Sequence, residues 1–311
     1  MKNYRSIKSK ERFYKKLYHK IDTLPELQEF MDEARDKREN NIKDVLYRGL
    51  PEALYKIYSS LQREWIGNNI KQAFNNISCD EFIKKMIKNV QNDDTLNRYY
   101  KSMRFVQNDW NALCFLQHYG APTPMVDFTY KLDVALFFGI KDYEQSSDSG
   151  SGYFSVYKIK EKDVNKMDKI LLDNKIVNRE DLRDSDIKSL FSDILYDNIS
   201  KYRSKEKPIL CDASAGHIKS ILKNGGGKID CDYYVGNLNM SAQDGALLFL
   251  NNEQHPLEES MKGKIEVYDI NKSLCKYIRD YLCKQCITAD TLFPNQNAIA
   301  QKAFRSIVEL K

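Results

Sequence analysis

Three short segments of the sequence place polar side chains at the edges of apolar runs. They cover residues 46–49, 118–129 and 241–246. Arg48 offers a planar fork of hydrogen-bond donors that matches phosphate oxygens, and His118 titrates near neutral pH. Gln243 can both donate and accept hydrogen bonds. Because functional groups are usually held by a rigid element and exposed by the turn beside it, these segments predict a binding or catalytic site.

The first two of these groups are positioned by predicted secondary structure. Residues 45–49 are predicted to form a short strand that ends in a Gly-containing turn, which puts Arg48 at a strand end. Helical spacing continues through residues 110–119, and Gly120 ends this helix as a C-terminal cap. His118 therefore lies in the last helical turn, where the exposed backbone carbonyls favour a protonated imidazole.

A strand followed by a buried helix is predicted directly after this turn. Residues 125–128 suffice for one strand, and the apolar residues that follow recur at helical spacing. Those residues are Leu132, Ala135, Leu136, Gly139 and Ile140. Asp127 or Thr129 is placed to cap the start of the helix by accepting hydrogen bonds from its free backbone N–H groups.

The rest of the chain mixes strands and helices without regular alternation. Spaced apolar residues predict surface helices in the first forty residues, and residues 79–100 also have helical spacing. Further strands are predicted at 153–159, 230–235, 246–250 and 265–270, and closing helices at 272–286 and 297–308. This mixture predicts an α+β fold, with a small mixed β-sheet surrounded by helices and helical N- and C-terminal segments.

The predicted elements divide the chain into three parts. Residues 1–40 form a charged helical arm, residues 41–270 form the α+β core, and residues 271–311 form a helical segment packed on that core. The core carries a polar insertion at about residues 160–207, helical in parts.

Composition limits the classes of protein to which the chain can belong. In 311 residues, 49 basic and 44 acidic side chains leave a net charge of +5, too small an excess for a dedicated nucleic-acid binder. No segment has the roughly 20 apolar residues of a membrane span, and the polar start lacks the apolar core of a secretory signal. The seven cysteines, an odd number, do not suggest a disulfide framework, and Cys283-x-x-Cys286 lacks a second pair of metal ligands. We predict a cytoplasmic chain with reduced thiols, no membrane partner and no metal site.

Several motifs, in this order along the chain, resemble those of the FRG domain family, which is named for its Phe- or Tyr-Arg-Gly motif. They are Tyr47-Arg48-Gly49, the His-Tyr-Gly-Ala-Pro-Thr segment at 118–123, Asp127-Phe128-Thr129 before the Ala-Leu-Phe-Phe run at 135–138, Ala-Gln-Asp-Gly-Ala at 242–246 and Thr-Leu-Phe-Pro at 291–294. The family is largely without assigned chemistry, so the resemblance implies relationship more than reaction.

A weaker resemblance implies a mechanism. An Arg at the end of an early strand, a Thr beside a strand and buried helix, and a Gln at a late strand entrance are similar in layout to ADP-ribosyltransferases. This similarity implies a sheet core of that type and NAD as the bound dinucleotide. The residues it implies for NAD binding are Tyr47, Arg48, Gly49, Asp127, Thr129 and Gln243, and those it implies for catalysis are Arg48, His118 and Gln243.

The chain departs from this second pattern at the catalytic acid. The position that carries Glu in such transferases, two residues after Gln243, is Gly245. Asp244, Glu253 and Glu266 are candidate substitutes, but none occupies a matching position. A neutral amide cannot supply the charge that opposes a cationic sugar in the transition state.

Two functions from different classes therefore remain open. The first is an NAD-dependent ADP-ribosyltransferase or NAD hydrolase that acts as a bacterial toxin or anti-phage defence effector, with a protein or nucleic acid as the macromolecular acceptor. The second is a noncatalytic module that binds a nucleotide or a nucleic-acid phosphate. A structural alternative is that Arg48 pairs with Asp127 only to fix the sheet. The sequence does not indicate an oligomeric state.

Overall fold

The computed structural model of the chain describes residues 3–40, 42–74, 76–102, 108–143, 150–166, 208–211, 217–222, 228–232, 238–250 and 252–294. Two predicted features fall wholly or largely outside these residues. The helix at 297–308 is one, and the polar insertion at 160–207, which is described only as far as residue 166, is the other.

A mixed β-sheet forms the centre of the fold, so the α+β prediction is confirmed. Among the described residues its strands are β1 (Tyr18–Ile21), β2 (Val45–Leu50), β3 (Met125–Thr129), β4 (Tyr153–Lys160), β5 (Asn165–Lys166), β6 (Ile209–Cys211), β9 (Gly245–Phe249) and β10 (Ile265–Asn271). Their order is β1-β10-β4-β2-β3-β9-β6-β5. The pairs β1–β10 and β5–β6 are parallel, and the other neighbours are antiparallel. A separate hairpin pairs β7 (His217–Leu222) with β8 (Lys228–Asp232).

Helices surround the sheet. The described ones are α1 (Ile7–Tyr14), α2 (Leu24–Glu39), α3 (Ser60–Gly67), α4 (Ile70–Ala73), α5 (Cys79–Gln91), α6 (Asp94–Ser102), α7 (Asp109–His118), α8 (Leu132–Ile140), α9 (Leu238–Ala242), α10 (Leu257–Ser260), α11 (Cys275–Lys284) and α12 (Ala289–Leu292). Short 3₁₀ turns cover Lys15–Leu17, Glu161–Asp163 and Lys272–Leu274.

Apolar side chains on both faces of the sheet build the core. On β2, Leu46 packs into one cluster, while Val45 and Tyr47 pack into another. The same alternation separates Tyr157 from Val156 on β4. Because side chains of a strand point alternately to opposite faces, each cluster covers one face of the sheet.

The N-terminal residues contribute more than the surface helices that were predicted. Strand β1 joins the sheet edge beside β10, where Tyr18 pairs with Val267. From α1, the side chains of Lys10 and Tyr14 are buried. The prediction of helices alone over residues 1–40 missed this strand, and the boundaries of the three parts remain a prediction.

Most other elements lie close to their predicted places. Residues 79–100 form two helices, α5 and α6, rather than one, and the late strand predicted at 230–235 is described as Lys228–Asp232. The ADP-ribosyltransferase-like type of the sheet also remains a prediction.

Candidate functional site

A cavity of about 440 Å³ opens beside the central strands β2 and β3. Its volume is in the usual range of small-molecule sites, about 300–1,000 Å³. All the residues singled out in the sequence as catalytic or dinucleotide-binding line it: Tyr47, Arg48, Gly49, His118, Asp127, Thr129 and Gln243. The structure thus brings together groups that are as far as 196 positions apart in the sequence, from Tyr47 to Gln243. Their roles remain predictions.

Close packing of α8 on β2 fixes the backbone at Arg48. A Cβ atom on the next residue, Gly49, would lie 1.9 Å from the Ala135 carbonyl oxygen and 2.7 Å from the Gly139 nitrogen. Only a residue without a side chain lets the helix approach this strand so closely. The Gly of the Tyr-Arg-Gly motif therefore serves the contact between the two elements, and the Arg beside it lines the cavity.

The Arg48 guanidinium is only partly satisfied by the protein. Its Nη1 donates a hydrogen bond to the backbone carbonyl of Asp127, while its buried Nε has no hydrogen-bond partner among the described residues. Burial lowers the pKa of the guanidinium, and the nearby Asp127 carboxylate acts in the opposite direction. An Arg side chain remains charged in proteins, so the cavity wall contains a cation with one donor that is unused among the described residues.

The Asp127 side chain is held by an amide. Gln117 Nε2 donates to both carboxylate oxygens, at 3.0 Å and 2.9 Å. The Oε1 atom of this amide in turn accepts from the buried Thr123 hydroxyl, which fixes the orientation of the amide. These hydrogen bonds link the turn at Thr123 to the carboxylate in the cavity. The predicted cap by Asp127 is wrong, because the start of α8 has no side-chain cap.

His118 lies in the last turn of α7, as predicted, and Gly120 follows it with a φ of 81°. Its Nε2 is buried and has no hydrogen-bond partner among the described residues. Burial lowers the pKa of the imidazole, and the charge of Asp127 opposes this shift. The expectation that the helix end keeps this group protonated is therefore wrong, because desolvation disfavours the cation.

Gln243 connects the site to the residues around Leu292. Thr129 Oγ1 donates to the Gln243 carbonyl at 2.6 Å, and Gln243 Nε2 donates to the Leu292 carbonyl at 3.0 Å. Next to Leu292, the ring of Phe293 meets that of Phe138 edge-on, with centroids 5.9 Å apart, and both rings line the cavity. Thr129 Oγ1 also accepts from the backbone N–H of Lys131, the residue before α8, so it does not cap the helix itself.

Other residues of the cavity were not predicted from the sequence. Gln117, Phe138, Lys141, Asp142, Asn239, Met240 and Phe293 also line it. Phe138 and Phe293 belong to the motifs at 135–138 and 291–294, which is a usable signal, whereas nothing in its helical pattern distinguishes Gln117.

The proposed substitutes for the missing acid lie elsewhere. Asp244 forms an ion pair with Lys43 at 2.9 Å, and Glu266 pairs with Lys158 at 3.3 Å. Glu253 lines a different and much smaller pocket. None of the three lines the large cavity, where the carboxylates are those of Asp127 and Asp142.

Neither a metal centre nor a membrane-spanning helix occurs in the described part of the chain. It contains no group of three or more His, Cys, Asp or Glu residues placed to hold a metal ion. None of its helices combines the length and the apolar character that crossing a membrane requires.

The fold and the cavity define a mixed α+β protein with a small-molecule-sized site beside its central strands. The family model of the FRG domain matches residues 43–148. The chain therefore carries an FRG domain, which runs from β2 through α8 and contains Arg48, His118 and Asp127. Gln243 and Phe293 lie beyond the matched residues. No curated protein and no solved structure matches the chain.

Proposed function

We propose that the cavity binds a dinucleotide of the NAD type and cleaves its nicotinamide–ribose bond. One observation carries the binding part of this proposal. Two buried nitrogens of cavity residues, Arg48 Nε and His118 Nε2, have no partner among the described residues. An unmet buried polar group destabilises the protein, and an anionic ligand would satisfy both. Arg48 would bind the pyrophosphate, for which its planar fork of donors is suited.

The reaction follows from the carboxylate beside these groups. Breaking the glycosidic bond leaves the electron pair on the nicotinamide nitrogen, which becomes neutral, and leaves positive charge on the ribose. The Asp127 carboxylate would stabilise that charge as it develops. A water molecule or an acceptor group then attacks the ribose and loses a proton. In this proposal Asp127 supplies the carboxylate that ADP-ribosyltransferases carry at the position of Gly245.

Aromatic and polar side chains complete the proposed site. Phe138 and Phe293 offer rings against which a nicotinamide can pack. The Thr129 hydroxyl donates to the Gln243 backbone carbonyl, and this contact would hold both residues beside the ribose. An enzyme of this kind would deplete NAD or modify a macromolecule, so we propose a role as a toxin or phage-defence effector.

A second candidate, a noncatalytic nucleotide-binding module, is favoured by one specific contact. Gln117 donates to both oxygens of Asp127, so the carboxylate is already engaged within the protein. In that case Arg48 and His118 would hold a phosphate without turnover.

Nicotinamide release from NAD tests the enzyme proposal. We expect release by the purified protein, alone or with cell extract as a source of acceptor. Asp127→Asn should slow release by at least about 100-fold, as for the loss of one transition-state contact, and leave NAD affinity within a few-fold. Arg48→Ala should weaken NAD binding. Arg98→Ala, which removes an exposed helix side chain outside the cavity, should behave as wild type.

The same variants separate the two candidates. Stabilisation of the protein by NAD, measured as a rise in Tm, without any nicotinamide release would support the noncatalytic module. If NAD neither binds nor reacts, the proposal is wrong. Growth arrest on expression, lost in Arg48→Ala while that variant stays folded, would connect the cavity to toxicity.

A further inference from the structure

A second cavity adjoins the first. It has a volume of about 400 Å³ and shares Pro51 and Asp142 with the first cavity. Tyr55 and Tyr143 form part of its aromatic wall. The shared residues begin three positions after Arg48, and an extended chain covers roughly 10 Å over three residues. Because Pro51 directly follows β2, the two cavities are neighbouring compartments near the end of that strand.

The two carboxylates of the second cavity, Glu52 and Asp142, differ in their contacts with the rest of the protein. Glu52 receives hydrogen bonds from the backbone N–H and hydroxyl of Ser151 and forms an ion pair with Lys272 at 3.1 Å. These contacts lower the pKa of the Glu52 carboxyl, although its burial acts in the opposite direction. By contrast, Asp142 forms no ion pair with any described residue, and it lines both cavities. Glu52 is thus part of the wall, whereas Asp142 is available to a ligand.

The aromatic wall indicates the class of ligand. Tyr55 is 45% exposed although it lines a cavity, so much of this residue is accessible to a ligand. A flat base stacks favourably on such a ring whatever its identity. A carboxylate near a bound nucleoside commonly accepts hydrogen bonds from ribose hydroxyls. A ring available for stacking and a carboxylate without an ion pair among the described residues together match a nucleoside.

We propose that the second cavity binds the adenosine part of the dinucleotide, with the base on Tyr55 and the ribose hydroxyls on Asp142. This inference rests on the proposed function, in which Arg48 holds the pyrophosphate and the first cavity holds the nicotinamide riboside. A dinucleotide has a nucleoside on each side of its pyrophosphate. Arg48 lines the first cavity, and the second cavity begins at Pro51, three residues further along the chain, so a ligand bound at Arg48 can extend into both. The structure assigns each half of the ligand its own compartment.

Calorimetric titration with three probes tests this assignment. The probes are NAD, AMP and nicotinamide mononucleotide, and the proteins are wild type, Tyr55→Ala, Tyr55→Phe and Tyr99→Ala. Tyr55→Ala should weaken the binding of NAD and AMP about tenfold, as expected for the loss of one stacked base. It should leave the affinity for nicotinamide mononucleotide unchanged. Tyr55→Phe keeps the ring and should bind as wild type does.

Tyr99→Ala is the matched control, because Tyr99 is 50% exposed and lines neither cavity. Equal NAD affinity in wild type and Tyr55→Ala would overturn the assignment of the second cavity and leave the proposed function intact. A parallel loss of nicotinamide mononucleotide binding would also overturn it, since the effect would then not be confined to one half of the ligand. If wild type binds neither NAD nor nicotinamide mononucleotide, the proposed function fails, and this inference with it.

Discussion

At the scale of single residues, the site is defined by groups whose hydrogen-bonding capacity the protein leaves partly unused. The Arg48 side chain donates one hydrogen bond to the backbone carbonyl of Asp127, and its Nε has no partner among the described residues. His118 keeps its Nε2 in the same condition. The structural alternative for Arg48 was a side-chain ion pair with Asp127. Arg48 instead donates to the main chain of Asp127, while the Asp127 carboxylate is held by Gln117.

His118 should make the stability of the protein depend on pH. Burial lowers the pKa of its imidazole below the ordinary value of 6.5, so the unfolded chain binds a proton more readily than the folded protein does. The contribution of this residue is complete above pH 6.5 and is lost as the pH falls from there through the lowered pKa of the folded protein. We expect His118→Gln to reduce the decrease in the free energy of unfolding between pH 7 and pH 5, measured by urea denaturation. The NMR titration of His118 should give a pKa below that of a model peptide, and an equal or higher value would contradict this prediction.

Individual residues of the site were predictable from the sequence, because reactive or charged side chains stand there at the recognisable ends of strands and helices. Arg48 follows an apolar strand, and His118 precedes a helix-ending glycine. The pKa direction of His118 was not predictable, because it depends on burial by segments that are distant in the sequence. Gln117 was missed for a related reason, since an amide within a helix becomes significant only when Asp127 of β3 is known to lie against it.

At the scale of elements, the contact between β2 and α8 sets the geometry of the cavity. Ala135 and Phe138 of α8 line the cavity, as does Gly49 of β2. Where the two elements meet, backbone touches backbone, so no side chain can move aside to admit an added atom. Close approach of this kind makes the site sensitive to a single methyl group.

Gly49→Ala should therefore destabilise the protein strongly. The added Cβ would lie 1.9 Å from the Ala135 carbonyl oxygen, a position that a real Cβ atom does not occupy. We expect a loss of at least about 3 kcal/mol in the free energy of unfolding, the upper end of the usual effect of overpacking. Gly67→Ala is the control, because nothing lies within 4 Å of its added Cβ, and Ala is preferred in helices by about 0.5–1 kcal/mol. Similar stabilities for the two variants in urea denaturation would show that α8 is not held against β2.

Elements with a clear apolar pattern were predictable, and those stabilised mainly by pairing were not. Strand β4 has buried side chains at six consecutive positions, from Phe154 to Ile159, and its pattern was apparent in the sequence. Strand β1 reads Tyr-His-Lys-Ile and buries only its last side chain fully, so little in its composition distinguishes it from a surface turn. Its place in the sheet is set by hydrogen bonds to β10, which is about 250 residues away.

At the scale of the whole molecule, a buried cation connects the N-terminal helix to the sheet. Lys10 is 0% exposed, and its Nζ lies 2.7 Å from Asp269 Oδ1, 2.7 Å from Ser155 Oγ and 2.8 Å from the Ala53 carbonyl oxygen. Burial lowers the pKa of this amine, and the charge of Asp269 opposes the shift. Residues from four distant parts of the chain thus share one charged cluster.

Lys10→Met should leave Asp269 as an uncompensated buried carboxylate. We expect a loss of about 3–5 kcal/mol in the free energy of unfolding, as for other broken buried pairs. Lys85→Met removes an exposed ion pair with Glu81, with atoms 3.2 Å apart, and should change stability by less than about 1 kcal/mol. Urea denaturation of both variants measures the difference, and equal effects would indicate that the Lys10 cluster adds no more than a surface pair.

The parallel pairing of β1 with β10 has a consequence during synthesis on the ribosome. Lys20 is matched in register with Asp269, so β1 emerges about 250 residues before its partner strand exists. At about 5–20 residues per second, that delay is roughly 12–50 s. Throughout this time the N-terminal strand has an unpaired edge, and Lys10 has no carboxylate to neutralise it. The nascent chain is therefore open to chaperones and proteases at its N-terminus until its last described strand has been translated.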